Sequence, residues 1–256
     1  MLYFLGALSL ALAAAAIFAL RYGLRERRRR KGRPFFDSHP VKPLALEKLD
    51  PIFTVTEHGP SLESEVLLVG DVGSYASTST TEAWILGALA KKASCIFEFG
   101  TCTGRTTYIF ARNAPENARI GTITLGPDDV ETYKAGAEDP EGWTKEAIAE
   151  SQYTDFLYTG TPVASKVTQI FGDSKAFDET PWLGACDLIF VDGAHAYSYV
   201  KSDTEKALRM IRPGGVIVWH DFSPACPGVW KYLGELAATH PVGHIAGTRL
   251  AVLRAV

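Results

Sequence analysis

The residues best suited to chemistry in this chain fall just after short apolar runs. Glu98 lies at the end of CIFEF, Asp173 follows QIFG, Asp192 follows DLIFV, and His220-Asp221 follows GGVIVW. His195 stands three residues beyond Asp192, in the segment VDGAHAY. Apolar runs of this length, rich in Ile, Val and Phe, read as buried strands. An acid after one strand is common; acids after four of them point to a shared site. Histidine ionises near neutrality, so His195 or His220 would suit general-base transfer of a proton. Between the first run and the next predicted helix lies FGTCTGR, with Gly100 and Gly104 separated by Thr101, Cys102 and Thr103. Glycines in a strand-to-helix turn let a ligand approach the backbone, and the amides opening the helix can cradle its acceptor atoms. The spacing is neither the GxGxxG of nicotinamide-binding turns nor a phosphate-binding loop ending in Gly-Lys-Ser/Thr.

The elements that must position these residues alternate. STSTTEAWILGALAKKA opens with Ser79 and Glu82 in capping-box spacing and predicts a helix. CIFEF is a strand, and a helix follows from about Arg105 to Arg112. IGTITL is a second strand, KVTQIFGDS a third, CDLIFVDGAH a fourth and GGVIVWHDF a fifth. DTEKALRMI and GVWKYLGELAATH read as helices, and TRLAVLRAV as a last strand. This order predicts an α/β fold with a doubly wound, mostly parallel sheet. Ligands in such sheets bind at the carboxyl ends of the strands, where the acids and the glycine turn fall. The polar stretch 127–160 reads as a long insertion shaping the acceptor side of the site.

The 256 residues allow one substantial domain and an appendage. Residues 2–20 carry no charge, and as a helix would span roughly 28 Å, the thickness of a bilayer core. Residues 21–33 then hold eight Lys or Arg and one acid, a local charge of +7. The predicted organisation is a transmembrane anchor over 1–20, a basic stalk and linker over 21–74, and a domain over 75–256. Positive charges after the apolar run place the stalk and domain on the cytoplasmic side of a single-pass membrane protein. A cleaved signal peptide and an interfacial helix are the alternatives. Residues 34–256 carry 18 basic and 28 acidic residues, a charge of −10, which argues against nucleic-acid binding. The four cysteines, Cys95, Cys102, Cys186 and Cys226, form no CxxC pair or zinc spacing and read as free thiols.

ExGxxxG after a strand resembles the first motif of class I S-adenosylmethionine-dependent methyltransferases. FGDS ending at Ser174, DLIFVDGAHAYSYVKSD over 187–203 and RPGGVIVWHDF over 212–222 resemble the small-molecule O-methyltransferase-like group called methyltransferase family 24. The resemblance covers about residues 75–256 and implies a Rossmann-like sheet, an S-adenosylmethionine cofactor and methyl transfer. It further implies that Glu98 is the motif acid and that Gly100, Thr101, Cys102, Thr103 and Gly104 wrap the methionine portion. Asp173 and Ser174 would border the adenine, with Asp192 also at the cofactor. Asp192, His195 and His220 become the catalytic candidates. Asp192, His220 and Asp221 occupy positions where related enzymes hold Mg²⁺ or another divalent cation. Such a cation, or a histidine acting alone as base, would activate an acceptor hydroxyl. The second strand departs from the pattern: Gly126 stands where a ribose-binding acid is expected, with Asp128 or Asp129 as substitutes. Asp203 reads as a favourable charge at a helix start. The expected function is O-methylation of a small or lipid-linked acceptor at the cytoplasmic membrane face. The alternative is a ligand-binding or scaffold protein without activity.

Overall fold

A computed structural model describes residues 12–24, 39–74, 78–137 and 139–256. Residues 12–24 are helical and exposed. Among the described residues no helix is long and apolar enough to cross a membrane. Residues 1–11 of the expected anchor, and most of the basic run after it, lie outside the described residues.

The domain is built on one eight-stranded sheet. Its strands are β1 (Lys42–Leu44), β2 (Cys95–Phe99), β3 (Arg119–Thr124), β4 (Val167–Phe171), β5 (Cys186–Val191), β6 (Ile211–Trp219), β7 (Gly243–Ile245) and β8 (Ala251–Arg254). The order across the sheet is β1-β7-β8-β6-β5-β2-β3-β4. β4, β3, β2, β5 and β6 run parallel to one another, whereas β8 is antiparallel to both β6 and β7. The chain moves outward from β2 through β3 to β4, then returns to lay β5 on the other side of β2. The adjacent carboxyl ends of β2 and β5 are therefore the switch point, where a crevice must open.

Side-chain alternation divides the core into two layers. On β2, Ile96 faces one layer while Phe97 and Phe99 face the other; on β6, Val216 and Val218 oppose Ile217 and Trp219. Helices α1 (Thr80–Ala90) and α2 (Arg105–Asn113) cover the first face. Helices α4 (Tyr197–Met210) and α5 (Pro227–Leu236) cover the second. The expected capping box opens α1: Ser79 Oγ accepts from the Glu82 N–H, and Glu82 Oε2 accepts from the Ser79 N–H at 2.8 Å.

Three readings change. The linker contributes to the sheet, because Lys42–Leu44 adds a parallel edge strand through β7. Three residues of strand are too short to show a period. The insertion 127–160 holds helix α3 (Glu141–Glu150). Finally, α4 starts at Tyr197, so Asp203 sits in the helix interior and is 1 % exposed, rather than being a solvated charge in a first turn.

Candidate active site

The turn after β2 is shaped by its close neighbours. Gly100 has φ +98°, and a Cβ there would lie 2.1 Å from the carbonyl oxygen of Asp192. Gly104 has φ +76°, and a Cβ would lie 2.7 Å from Cβ of Phe156. The backbone is stripped at these two points because other chain segments pass there, not because a ligand must. Cys102 also adopts a positive φ, +45°, turning the loop between the glycines.

Glu98 is fully buried beneath this loop. Its Oε2 accepts hydrogen bonds from Thr107 of α2 and, at 2.6 Å, from Thr122 of β3. Burial raises its carboxyl to about 8 against the pull of those hydroxyls. Thr122 Oγ1 is 2.7 Å from Thr101 Oγ1, so the motif acid ties the loop to the neighbouring strand and helix. Glu98 lines neither of the clefts described next. Its place is structural.

Two clefts open at the carboxyl edge of the sheet, with about 540 and 1020 Å³ of unfilled space. The first lies across the ends of β2, β3, β4 and β5. It is lined by Gly100 and Cys102, by Thr124 and Leu125, by Asp173 and Ser174, and by Asp192 to Ala194. Tyr133 and Tyr199, stacked 4.4 Å apart, line it as well. Asp128 and Asp129 do not; a Gly126 side chain would meet the Asp129 carboxylate at 2.8 Å. Asp203 also lines this cleft, and its buried Oδ1 has no hydrogen-bond partner among the described residues. Burial lifts its carboxyl to about 7, although Ser174 beside it pulls the other way. A crevice lined by the glycine turn, by Asp173 and Ser174, and by an orphaned acceptor on Asp203 fits an adenosyl-amino-acid cofactor. Gly172 and Gly193 leave the walls open, since a Cβ on either would meet nothing closer than 3.5 Å.

The second cleft is lined by Thr101, Thr103, Trp143, His195, His220 and Arg249, among others. Thr101 and Thr103, expected at the cofactor, thus face this side, and Gly104 faces neither cleft. Its floor is an ion-paired cluster. His195 Nε2 is 2.8 Å from Asp221 Oδ2, His220 Nδ1 is 3.1 Å from both Asp192 Oδ1 and Asp221 Oδ2, and Arg249 Nη1 donates to Asp221 Oδ1 at 3.0 Å. Asp221 reaches these partners from a left-handed turn, φ +53°, at the end of β6. Glu82 closes the rear of the cluster, 3.5 Å from His220 Nε2 and accepting from the Arg249 N–H at 2.6 Å.

The charges follow from this packing. Burial alone would discharge both histidines, but hydrogen bonds and charge from Asp221 hold His195 at about 9. Asp192, Asp221 and Glu82 likewise raise His220 well above its ordinary value. Burial would raise Glu82 and Asp221, yet His220 holds Glu82 down at about 2, and the two histidines hold Asp221 well below the usual range. Asp192 is the exception: burial outweighs His220, and its carboxyl is raised. Both histidines are therefore imidazolium at neutral pH, which removes them as ready bases.

The donor atoms of Asp192, His220 and Asp221 do lie within 4.8 Å of one another. As built, however, both Asp221 oxygens serve cations, and His220 Nδ1 carries a proton between two carboxylates. A divalent cation would have to displace that proton and break these pairs. This arrangement does not fit the expected metal.

Sequence reasoning missed Tyr133, Glu150, Tyr199 and Asp203 at the first cleft, and Trp143, Glu150 and Arg249 at the second. Tyr199 and Asp203 stand four apart on α4, a spacing that places them on one face. Trp143, Ala147 and Glu150 repeat at helical spacing after Pro140, the signal that could have revealed α3.

Residues 97–222 match the methyltransferase domain family Methyltransf_24. The uncharacterized protein y4gI of Sinorhizobium fredii is 42% identical over 164 residues, covering 62% of this chain and 16% of that protein. This chain thus spans about a sixth of the length of the curated relative it matches. Among solved structures, the S-adenosylhomocysteine-bound Podospora anserina methyltransferase PaMTH1 is similar, with a TM-score of 0.50 and 17% identity over 71% of this chain and 80% of that one. The O-methyltransferase TomG from Streptomyces achromogenes, solved with S-adenosylmethionine, gives 0.47 and 22% over 71% and 82%. The glycine turn and the strand-end acids all lie in the matched region, and residues 97–222, just under half of the chain, are similar to this methyltransferase domain family.

Proposed function

We propose that this chain is an S-adenosylmethionine-dependent methyltransferase acting on a hydroxyl oxygen of a small acceptor. The observation that carries the reading is the meeting of the two clefts. Gly100, Cys102, Glu150 and Asp192 line both, so molecules held in each would touch there. When bound, S-adenosylmethionine supplies an electrophilic methyl group on a sulfonium. The protein's contribution is to orient the acceptor, hold it in line, and take its proton. Oxygen is the favoured acceptor atom because a carboxylate, Glu150, stands where the two clefts meet and can receive a hydroxyl proton. The uncharged stretch 2–20 and the basic run behind it support a membrane location with the domain on the cytoplasmic face. A lipid-linked acceptor would then be within reach.

Calorimetry of the full chain with S-adenosylmethionine and S-adenosylhomocysteine tests this reading. Micromolar binding of both is expected, followed by methyl transfer to members of a phenol, catechol and sugar-hydroxyl panel. Failure of both ligands to bind would sink it. A second reading, a non-catalytic ligand-binding or scaffold protein that keeps the fold, is favoured by Gly126 at the ribose-acid position with neither Asp128 nor Asp129 lining the cleft. Tight binding with no transfer across the panel would support that one instead.

A further inference from the structure

We infer that Glu150, carried by the inserted helix α3, receives the proton of the acceptor hydroxyl. The inference rests on the methyl-transfer reading above, and follows from position and elimination. Four residues line both clefts, and three of them ionise: Cys102, Glu150 and Asp192. Asp192 is engaged by His220 at 3.1 Å. Burial pushes the Cys102 thiol up to about 12, so it stays protonated. His195 and His220 line the second cleft but not the first, and both already hold protons between carboxylates. The Glu150 carboxylate makes no hydrogen bond or ion pair among the described residues. Among the described ionisable residues that line both clefts, it is the carboxyl group with no ion-pair or hydrogen-bond partner.

The fold aims it there. Trp143 of α3 packs edge-on against His195 at 5.1 Å, and Glu146 Oε2 stands 3.9 Å from His195 Nδ1. Glu150, four residues after Glu146, lies one turn further along the same face, over the glycine turn. Burial raises its carboxyl to about 7; His195 opposes this, while Asp192, Glu146 and Asp221 add to it. A carboxylate balanced near neutrality is basic enough to take a proton and ionised enough to be ready. In the step itself, a lone pair of the acceptor oxygen forms the bond to the methyl carbon. The carbon–sulfur bond breaks with its pair going to sulfur, and the hydroxyl proton passes to a Glu150 oxygen and then to solvent.

A group in this position would also stand near the sulfonium of a bound S-adenosylmethionine, which gives a test that needs no acceptor. S-adenosylmethionine and S-adenosylhomocysteine differ in the methylated, positively charged sulfur. Their affinities for the full chain would be compared by calorimetry at pH 6, 7 and 8, in wild type and Glu150→Gln. As Glu150 ionises, wild type should shift its preference toward S-adenosylmethionine by about fivefold or more between pH 6 and 8, since one pKa unit of coupling is tenfold. The other groups facing Glu150 are Asp192 and His195 from the β5 end, Asp221 from β6, Glu146 from α3 and Cys102 from the glycine turn. With Glu150→Gln the preference should be weaker and flat with pH. A rise that persists in the variant, or no rise in wild type while both ligands bind, would overturn the assignment. If wild type binds neither ligand, the cofactor reading fails instead.

Discussion

The two clefts share a boundary yet are assembled in opposite ways. The first is largely walled by the ends of four neighbouring strands, each contributing a short contiguous stretch: Gly100 and Cys102, Thr124 and Leu125, Asp173 and Ser174, Asp192 to Ala194. The second draws on pieces distant in sequence: Trp143 and Glu150 from the insertion, His220 and Asp221 just after β6, Cys226 before α5, and Arg249 before β8. A parallel sheet explains the difference. Strand ends are placed by backbone pairing, so their residues are fixed by register alone. The outer wall depends on how helices and loops dock over that edge. The inner cleft is thus written in motifs, and the outer one in packing.

The sharpest way to break this contrast is at Gly100. If the inner cleft depends on backbone register, Gly100→Ala should cost about 3 kcal/mol or more and abolish cofactor binding, because its Cβ would collide with the Asp192 carbonyl and the residue needs φ +98°. Gly193→Ala, with 3.5 Å of clearance, should cost less than about 1 kcal/mol. Thermal melts of the two variants check this, and equal losses would remove the argument from close approach.

The outer cleft is tested next, at its ion-paired floor. Asp221→Asn leaves His195, His220 and Arg249 short of a counter-charge and should destabilise by about 3 kcal/mol. His195 should then lose its protonation from about 9 toward the ordinary histidine range, readable by NMR titration. An unchanged His195 titration would show that another acid holds the cluster together.

A smaller effect is expected beneath the inner cleft. The Glu98 carboxyl is raised by burial to about 8, from 4.5 in the unfolded chain. The native state therefore binds the proton more tightly. Its stabilising contribution is complete below pH 4.5 and declines as pH rises through about 8. Glu98→Gln, which retains an acceptor for Thr107 and Thr122, should flatten much of that decline. Denaturant melts from pH 4.5 to 9 measure it, and parallel pH profiles for wild type and variant would exclude a buried, proton-holding Glu98.

Much of the frame was legible in the residues themselves. The apolar runs gave the five parallel strands, Ser79 and Glu82 gave the capping box of α1, and the strand-end acids marked the reactive edge. The family resemblance through 187–203 and 212–222 lies within or beside the matched region 97–222. Period and propensity are local, so a single pass along the chain can read them. What the chain could not show alone depends on contacts between distant segments. Gly100 and Gly104 are glycines because Asp192 and Phe156 pass close by, a fact absent from FGTCTGR itself. The histidines looked like bases in sequence and became imidazolium once Asp192, Asp221 and Glu82 surrounded them. Asp203 looked like a charge at a helix start and became a buried group in the helix interior. Glu150, one acid among several in a polar insertion, acquired its place only when α3 docked over the glycine turn. Sequence fixes which groups a strand end presents, because backbone pairing is local and regular. Tertiary packing decides their protonation and their neighbours, because charge and burial are set by everything within a few ångströms.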